Sequence, residues 1–387
     1  MPKLDRYFNI AELRKAAQKN LPASIFHYLD GGADDEWSLR RNTNAFDQWE
    51  IIPSALTGIT KPTLNTRLFD RDIALPFFLS PTGMSRLFHH DKELAAARAA
   101  GKAATFYSLS SMGSSTIEEV ASAVRGPKLF QIYVFRDRAL TQSFLERCKS
   151  ARYDAICLTV DTTVAGNRER DIRTGMTIPP SLALKSLLSF TTKWPWLLGL
   201  RHNRDFTLAN LSKNIDPKNS GALNIFDYVN QQFDPSISWE DVTWLRDRWE
   251  GPLIIKGLLS AEDAKQAQRI GCTGVIVSNH GGRQLDSAAA PIDCISAMRD
   301  AVGDSMDLIL DGGIRRGSHI CKALALGASA CSIGRPYLYG LAAGGEPGVN
   351  QAIEILASET RRCMQLAGFH SVAALQSSGA VRKAGRG

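Results

Sequence analysis

The sequence has few of the features that mark a secreted, zinc-binding or membrane-spanning protein. Its seven cysteines are scattered along 387 residues and never form C-x-x-C. This pattern indicates reduced, buried thiols in a cytoplasmic protein rather than a disulfide framework or a zinc site. The N-terminal stretch Met1–Asn20 has no apolar core of a signal peptide. No uninterrupted apolar stretch is long enough to cross a bilayer.

Basic residues are in excess, but they are not concentrated. The formal net charge is +7, and no dense run of Lys and Arg or nucleic-acid motif occurs. We therefore expect no nucleic-acid partner. The charge fits an anionic cofactor, an anionic substrate or an anionic membrane surface. His89 and His90 are the only adjacent histidines; we expect an exposed pair and no metal site, because neighbouring side chains do not face one ligand.

Short apolar runs alternate with helix-like stretches from residue 76 onward. The runs are Pro76–Ser80, Thr105–Ser110, Leu129–Val134, Ala155–Asp161, Leu253–Gly257, Gly274–Asn279, Asp307–Gly312 and Ala330–Gly334. Continuous apolar strands between helices predict a parallel sheet covered by helices. Eight such units predict a closed (β/α)8 TIM barrel. An open doubly wound sheet is the alternative, but no G-x-G-x-x-G follows the first run.

Helices are expected to precede the barrel. Asn9 followed by Glu12 predicts a capped helix start, and a second short helix should carry Ile25–Leu29. We expect the whole chain to form a single domain, with the barrel at about 76–345. The C-terminal stretch Ser371–Gly387 is rich in small and basic residues and is expected to fray.

About ninety residues separate the fourth run from the fifth, which predicts an insertion at about 172–250 because long structureless loops are rare. Its segment at about 181–204 is rich in Leu and Trp with basic neighbours, which is typical of a chain lying in a membrane interface. Lys185, Lys193 and Pro195 interrupt it, so it should not span. The alternative is a segment that packs over the barrel mouth or between subunits.

Every apolar run is followed by polar or Gly-rich sequence. In a TIM barrel the active site is built at these carboxyl ends of the strands. The candidate residues are Pro81, Thr82, Gly83, Ser110, Gln131, Tyr133, Thr159, Asp161, Lys256, Ser278, His280, Arg283, Asp311, Gly312, Gly313, Arg315, Gly334 and Arg335. Any one of them is weak evidence, but eight polar strand ends together are hard to explain as capping.

The stretch Ser278–Asp286 reads S-N-H-G-G-R-Q-L-D and follows a buried run. His280 can exchange a proton near neutral pH, and Arg283 can hold a carboxylate through two parallel hydrogen bonds. Together they predict a substrate with a carboxylate next to a proton that is removed. By itself, an H-x-x-R motif is better explained as a capped strand end with a surface arginine. The polar residues at the other strand ends favour the active-site interpretation instead.

The ends of the seventh and eighth runs predict a phosphate site. Loops at this place in TIM barrels commonly bind phosphate. Gly312, Gly313 and Gly334 allow backbone N–H groups to approach an anion, and Arg315 and Arg335 add positive charge. The cofactor or substrate should therefore carry a phosphate group.

The remaining strand ends fit a flat heterocycle. Ser110, Gln131 and Thr159 offer hydroxyl and amide groups for its edge. Lys256 could stabilise negative charge on the ring, which an isoalloxazine carries at its pyrimidine side when reduced. The alternative for Lys256 is a Schiff-base lysine of an aldolase.

Several motifs resemble one known family, the FMN-dependent L-2-hydroxy acid oxidases and dehydrogenases. S-N-H-G-G-R-Q-L-D resembles the active-site signature of that family. Other blocks match in the same order: F-Q-I-Y-V at 130–134, L-T-V-D at 158–161, K-G-L-L-S-A-E-D-A at 256–264, D-G-G-I-R-R-G at 311–317 and I-G-R at 333–335. The resemblance covers the chain from about Phe8 to Gly368 and implies FMN as cofactor.

The resemblance also implies roles for single residues. His280 resembles the catalytic base, and Asp161 resembles the carboxylate that stabilises its imidazolium form. Arg168 and Arg283 resemble the pair that holds the substrate carboxylate. The residues that resemble the substrate-side hydroxyls and the lysine at the flavin's pyrimidine edge are Tyr28, Tyr133 and Lys256. Those that resemble the rest of the FMN site are Pro81, Thr82, Gly83, Ser110, Gln131, Thr159, Ser278, Asp311, Gly312, Gly313, Arg315, Gly334 and Arg335.

Two positions bear on the substrate. Gly83 stands where several oxidases of the family have Ala, and Met112 stands where glycolate-oxidising members have Trp. Because Met112 is smaller than that Trp, we do not expect glycolate to be the substrate. We expect L-lactate, with (S)-mandelate as the alternative.

The Trp- and Leu-rich insertion resembles the membrane-attachment segment of bacterial members of the family. This implies a peripheral enzyme on the cytoplasmic side of the inner membrane that delivers electrons to a quinone or another respiratory acceptor. The resemblance also implies a homotetramer. A soluble oxidase that uses O2 is the alternative, and a non-enzymatic scaffold is disfavoured because all catalytic positions are filled.

Overall fold

The computed structural model describes residues 4–176, 190–202, 207–211 and 233–385. The helices are α1 (Ile10–Asn20), α2 (Ala23–Asp30), α3 (Trp37–Asn44), α4 (Lys92–Lys102), α5 (Ile117–Ala123), α6 (Arg138–Ser150), α7 (Glu169–Thr174), α8 (Trp194–His202), α9 (Trp239–Arg246), α10 (Ala261–Arg269), α11 (Pro291–Val302), α12 (Gly317–Ala325), α13 (Arg335–Ala367) and α14 (Val372–Gln376). The strands are β1 (Trp49–Ile51), β2 (Thr66–Leu68), β3 (Arg71–Ile73), β4 (Phe77–Thr82), β5 (Tyr107–Ser110), β6 (Lys128–Ile132), β7 (Ala155–Thr159), β8 (Leu253–Leu258), β9 (Gly274–Val277), β10 (Asp307–Asp311), β11 (Ala330–Ile333) and β12 (Val381–Lys383).

Strands β4 to β11 form a closed parallel barrel in chain order. The ring closes where β11 pairs with β4, with Cys331 beside Phe77 and Ile333 beside Leu79. Each barrel strand overlaps one of the eight predicted runs. The predicted TIM barrel is therefore confirmed, and the open-sheet alternative is wrong.

The barrel strands follow a two-residue alternation that decides what lies inside. Phe78, Ile254 and Ile309 belong to the small cluster that fills the barrel interior, while neighbours such as Phe77 and Leu79 pack outward against the helices. Because successive strand residues face opposite sides, the next inward residue lies two positions on. These second inward positions are Ser80, Ser108, Gln131, Cys157, Lys256, Ser278, Asp311 and Ser332. Most of this upper layer of the interior is therefore polar.

The amino end of the barrel is closed by the β2–β3 hairpin. Phe69, in its turn, packs edge-on against Phe106 with ring centroids 5.6 Å apart. The backbone N–H of Phe69 also donates to Asp307 Oδ2 at 2.9 Å. This closure leaves the carboxyl end of the barrel as the open end.

The N-terminal helices form as predicted. The Asn9 side chain accepts the N–H of Glu12 at 2.9 Å and caps α1. Helix α2 leads to the carboxyl end of the barrel, where Arg335 donates to the carbonyl oxygens of Leu29 at 3.1 Å and Gly31 at 2.8 Å. The start of the chain is thereby tied to the loop after the last barrel strand.

Two predictions about local structure are wrong. The C-terminal stretch does not fray, because α14 is followed by β12, which pairs antiparallel with β1 and places Lys383 beside Trp49. The histidine pair is half-buried rather than exposed: His89 and His90 keep 22% and 28% of their side-chain surface. Contacts with distant parts of the chain produce both features, and local sequence does not encode such contacts.

Helices α7, α8 and α9 lie between β7 and β8, where the insertion was predicted. Helix α8 is attached to the barrel by Trp196, whose indole N–H donates to Leu87 O at 2.7 Å. The preceding Lys193 donates to Lys19 O at 2.9 Å. Residues 181–189 and 203–204 of the predicted membrane segment lie outside the described residues. Within the described ranges no helix is long and apolar enough to cross a membrane.

Candidate active site

A cavity of about 990 Å³ opens at the carboxyl end of the barrel. The predicted residues that line it are Tyr28, Pro81, Thr82, Gly83, Ser110, Gln131, Tyr133, Thr159, Arg168, Lys256, His280, Arg283, Asp311, Gly312, Gly313, Arg315, Gly334 and Arg335. Asp161 and Ser278 lie behind this lining and contact it through hydrogen bonds. The structure thus brings the predicted site residues together around one space.

His280 and Asp161 form a buried pair. Nδ1 of His280 lies 2.9 Å from Asp161 Oδ1, and since a carboxylate only accepts, Nδ1 carries the proton and Nε2 keeps its lone pair. Burial lowers the pKa of His280, and Asp161 opposes this shift. Burial raises the pKa of Asp161, but its interaction with His280 and the charge of Lys256 outweigh burial and hold that pKa below its usual value. The pair is therefore a neutral imidazole beside a carboxylate.

Gln284, a residue that the sequence analysis did not single out, fixes the loop after β7. Its side-chain N–H groups donate to Asp161 O at 3.0 Å and Val164 O at 2.8 Å. Its Oε1 accepts the N–H of Gly166 at 3.2 Å. The loop that leads to Arg168 is therefore held by the same stretch that carries His280. Gln284 lies within S-N-H-G-G-R-Q-L-D, but nothing in the motif indicates this contact.

Two arginines converge beside Tyr28. The guanidinium carbons of Arg283 and Arg168 lie 5.0 Å and 5.7 Å from the centroid of the Tyr28 ring. Nη1 of Arg283 donates to Tyr28 O at 2.7 Å and to Gly31 O at 3.0 Å. Burial lowers the pKa of Arg283, and the charge of Arg168 adds to this shift. Two half-buried cations that repel each other favour an anionic ligand between them.

Asp171 is a second residue that sequence reasoning missed. It is buried in α7, and its Oδ2 lies 3.7 Å from Nε of Arg168. Burial raises its pKa despite the charges of Arg283 and Arg168. This carboxyl group offsets part of the positive charge and pairs with Arg168.

A network of buried hydrogen bonds joins the upper layer of the barrel interior to His280. Ser278 Oγ accepts from Lys256 Nζ at 3.0 Å and from the N–H of His280 at 3.0 Å, and donates to Asp311 Oδ2 at 2.7 Å. Ser80 and Ser332 donate to Asp311 Oδ1 at 2.8 Å and 2.7 Å. The network satisfies both oxygens of a carboxylate that is almost entirely buried.

Lys256 is a charged lysine in this network. Burial lowers its pKa, but Asp311, 3.5 Å away, and Asp161 outweigh burial and raise it. Burial likewise raises the pKa of Asp311, but Lys256 and the serine hydroxyls outweigh it and lower that pKa. A Schiff base requires a neutral amine, so this environment does not suit the aldolase alternative.

The cavity offers the groups that a flavin mononucleotide needs. Ser110 Oγ donates to Gln131 Oε1 at 2.6 Å, which leaves Gln131 Nε2 as the outward donor. Among the described residues this buried Nε2 has no hydrogen-bond partner. An amide donor and the charged Lys256 at the end of the barrel fit the edge of a flat ring with carbonyl and nitrogen acceptors.

The phosphate end of such a cofactor also finds suitable groups. Gly312 and Gly313 have φ values of +101° and +77°, so consecutive backbone N–H groups are available to an anion. A Cβ at Gly334 would lie 3.8 Å from the nearest side chain, so a ligand could approach this backbone closely. Arg335 adds charge, but its side chain already donates to three backbone carbonyls. Gln131, Lys256, the glycines and Arg315 are therefore the residues that would hold FMN.

Comparison with known proteins identifies the family. The sequence pattern of the FMN-dependent dehydrogenases matches residues 17–382. The chain belongs to the FMN-dependent dehydrogenase family. FMN is its cofactor, and its reaction is the oxidation of an L-2-hydroxy acid, as the sequence predicted.

Curated relatives of the dehydrogenase are similar over nearly their full length. It is 38% identical to the L-lactate dehydrogenase of Pseudomonas paraeruginosa, covering 97% of this chain and 98% of the relative. It is 39% identical to that of Acinetobacter baumannii, covering 93% and 94%.

Solved structures give the same family. The monotopic membrane protein (S)-mandelate dehydrogenase superposes with a TM-score of 0.93 at 35% identity, covering 98% of this chain and 100% of the other. A mandelate oxidase superposes with a TM-score of 0.83 at 36% identity, covering 97% and 98%.

Gly313 provides a test of the phosphate loop. Its φ is +77°, and a Cβ there would lie 1.9 Å from Asn42 O. Gly313→Ala should therefore cost about 3 kcal/mol or more through strain and overlap, and should weaken FMN binding. Thermal unfolding and FMN titration of the apoprotein measure both effects.

Gly58→Ala is the matched control for this substitution. Gly58 also has positive φ, +67°, but an added Cβ would meet nothing within 4 Å. It should cost only about 1–2 kcal/mol and leave FMN affinity unchanged. Equal losses in the two variants would show that overlap with Asn42 does not matter.

Proposed function

We propose that the dehydrogenase oxidises L-lactate to pyruvate and passes the electrons to a membrane quinone. The observation that carries the site assignment is the placement of His280–Asp161 and of Arg168 and Arg283 around one cavity. The relatives at 38–39% identity that are named L-lactate dehydrogenases support the choice of substrate.

The arginines bind the substrate carboxylate in this proposal. Arg283 is held by backbone carbonyls and stacks over Tyr28, so its planar fork is oriented before the substrate arrives. Arg168 adds a second positive charge from the loop that Gln284 holds. Asp171 offsets part of this positive charge, which reduces the repulsion between the two arginines when no anion is bound.

His280 takes the proton from the substrate. Its Nε2 has a free lone pair because Nδ1–H donates to Asp161. A lowered pKa keeps this base neutral near pH 7, and the carboxylate of Asp161 stabilises the imidazolium that forms. The chemistry that bound FMN supplies is the acceptance of two electrons from the substrate.

Tyr133 orients the substrate oxygen in this proposal. Burial raises its pKa, so the phenol stays protonated and can donate a hydrogen bond. Phe233 packs edge-on against its ring at 5.1 Å between centroids. This contact fixes the ring and adds an apolar wall to the cavity.

The alternative substrate is (S)-mandelate, which the cavity favours through its apolar lining. Met112, Met176 and Phe233 contribute apolar side chains. Met112 also explains Gly83, because a Cβ at Gly83 would lie 2.9 Å from Met112 Cβ. Comparing kcat/KM for L-lactate and (S)-mandelate decides between the two acids.

His280→Gln tests the base. Glutamine keeps a polar side chain of similar reach but cannot take the proton, so the rate of anaerobic FMN bleaching by L-lactate should fall by about 10²–10⁴-fold. Stopped-flow absorbance measures this rate, and the visible spectrum reports retained FMN. Near-normal bleaching with FMN in place would remove His280 from this role.

Arg283→Lys tests the carboxylate site. Lysine keeps the charge but lacks the planar fork and the stacking on Tyr28. We expect the KM for L-lactate and the Kd for a 2-oxo acid such as pyruvate to rise by about tenfold or more, since 1.4 kcal/mol corresponds to tenfold. Arg316→Lys is the control, because that arginine pairs with Glu359 on the outside. An unchanged pyruvate affinity in Arg283→Lys would contradict the assignment.

We further propose that the dehydrogenase is a peripheral protein on the cytoplasmic side of the inner membrane and a homotetramer. Helix α8 supports the membrane contact: Trp194 and Leu198 are 67% and 47% exposed, and an i, i+4 pair shares one helix face. Trp196 and Lys193 anchor the helix to the barrel. A soluble oxidase that uses O2 is the alternative.

A double variant tests this membrane face. Trp194→Ser/Leu198→Ser removes the exposed apolar groups and should reduce flotation with vesicles of anionic phospholipid, because interfacial binding scales with buried apolar area. Turnover with a vesicle-embedded quinone should fall, while turnover with a soluble dye should change little.

Leu56→Ser/Leu366→Ser is the matched control, since both leucines are exposed elsewhere, at 103% and 73%. It should float as the native chain does. If the native dehydrogenase does not float at all, and O2 supports full turnover, the oxidase alternative replaces this proposal.

A further inference from the structure

A cluster of imidazoles lies outside the active-site cavity, between the start of α4 and helix α8. The rings of His89 and His90 are 4.2 Å apart, and His202 at the end of α8 lies 4.7 Å from His90. Asp91 follows directly in sequence. None of these residues has a part in the reaction derived above.

The ligand atoms of three residues converge. Nδ1 of His89 lies 3.6 Å from Asp91 Oδ2, and Nε2 of His90 lies 3.6 Å from Asp91 Oδ1. One ligand atom from each of the three residues lies within 4.8 Å of the others, and no second group of this kind occurs in the described parts of the chain. Two ligand atoms bound to one metal ion at about 2.0–2.2 Å lie at most about 4.4 Å apart. A small side-chain movement would therefore bring all three ligand atoms within bonding distance of one ion.

The tautomer of His89 is suited to binding. Its Nδ1 accepts the N–H of Asp91 at 3.2 Å, so the lone pair is on Nδ1 and the ring proton is on Nε2. The lone pair thus lies on the nitrogen that is nearer to the Asp91 carboxylate. A metal ion at Nδ1 would take this lone pair in place of the 3.2 Å hydrogen bond from the Asp91 backbone.

We propose that His89, His90 and Asp91 bind a divalent transition-metal ion such as Zn²⁺. Two imidazole nitrogens and one carboxylate oxygen are the ligand types that Zn²⁺ takes in proteins, with a fourth position left for water. In this proposal the three adjacent residues face one ligand, which the sequence analysis did not expect.

Two charged neighbours have opposite effects on a bound cation. The charge of the buried Arg86 acts on both histidines and opposes a bound cation. The carboxylate of Asp91 offsets this charge.

Metal binding at this site would stabilise the position of helix α8. His90 contacts both the ring of His202 and Gly199, where an added Cβ would lie 3.5 Å from His90 Nδ1. A metal ion that fixes the His90 ring would therefore stabilise the packing of α8 against the barrel. Binding to the folded state alone raises thermal stability by mass action.

Calorimetric titration of the FMN-loaded, chelator-treated full chain with Zn²⁺ tests the proposal. We expect one ion per chain and a melting temperature that rises with Zn²⁺. His90→Gln and Asp91→Asn should each weaken binding by about tenfold or more, as loss of a ligand does. His370→Gln, an exposed histidine elsewhere, should bind Zn²⁺ unchanged.

Electron paramagnetic resonance of the unmutated chain with one equivalent of Cu²⁺ gives a reading that needs no variant. We expect nitrogen hyperfine coupling from two imidazoles. Absence of one-to-one binding, absence of nitrogen coupling, or equal Zn²⁺ affinity in His90→Gln, Asp91→Asn and His370→Gln would each overturn the metal site.

Discussion

The buried contact between Lys256 and Asp311 is the interaction on which the candidate site depends. Their charged atoms lie 3.5 Å apart at the end of the barrel interior, and an unpaired charge there would be far too costly. Ser278 joins both groups to the backbone of His280. The cofactor end and the substrate end of the cavity are therefore parts of one hydrogen-bonded network, and a change in either partner reaches both.

The substrate end adds a second electrostatic constraint. Burial and the nearby charge of Arg168 lower the pKa of Arg283, and Asp171 supplies only part of the compensating negative charge. In the proposed mechanism this surplus of positive charge selects an anion, and the neutral His280 beside Asp161 takes a neighbouring proton. A barrel of this type supports many reactions, and we propose that these five side chains select a 2-hydroxy acid.

Sequence reasoning found most of the side chains around the cavity but missed several that hold them in place. The strand ends and S-N-H-G-G-R-Q-L-D led to His280, Arg283 and Lys256, because these residue types have few roles at such positions. Ser80 and Ser332 were missed because serine in an apolar strand is uninformative until its partner is known. Gln284 was missed because its partners lie on the loop after β7.

The barrel and its polar upper layer follow from the amino-acid sequence alone. The two-residue alternation fixes which side chains face inward, so a polar residue two positions after Ile254 or Ile309 must enter the interior. Features that depend on residues distant in the chain emerge only from the folded structure. The pairing of β12 with β1, the convergence of Arg168 with Arg283, and the packing of His90 against His202 of α8 are such cases. Contacts between residues far apart in the chain leave no periodic signal, because they arise from how helices and loops pack on the finished barrel.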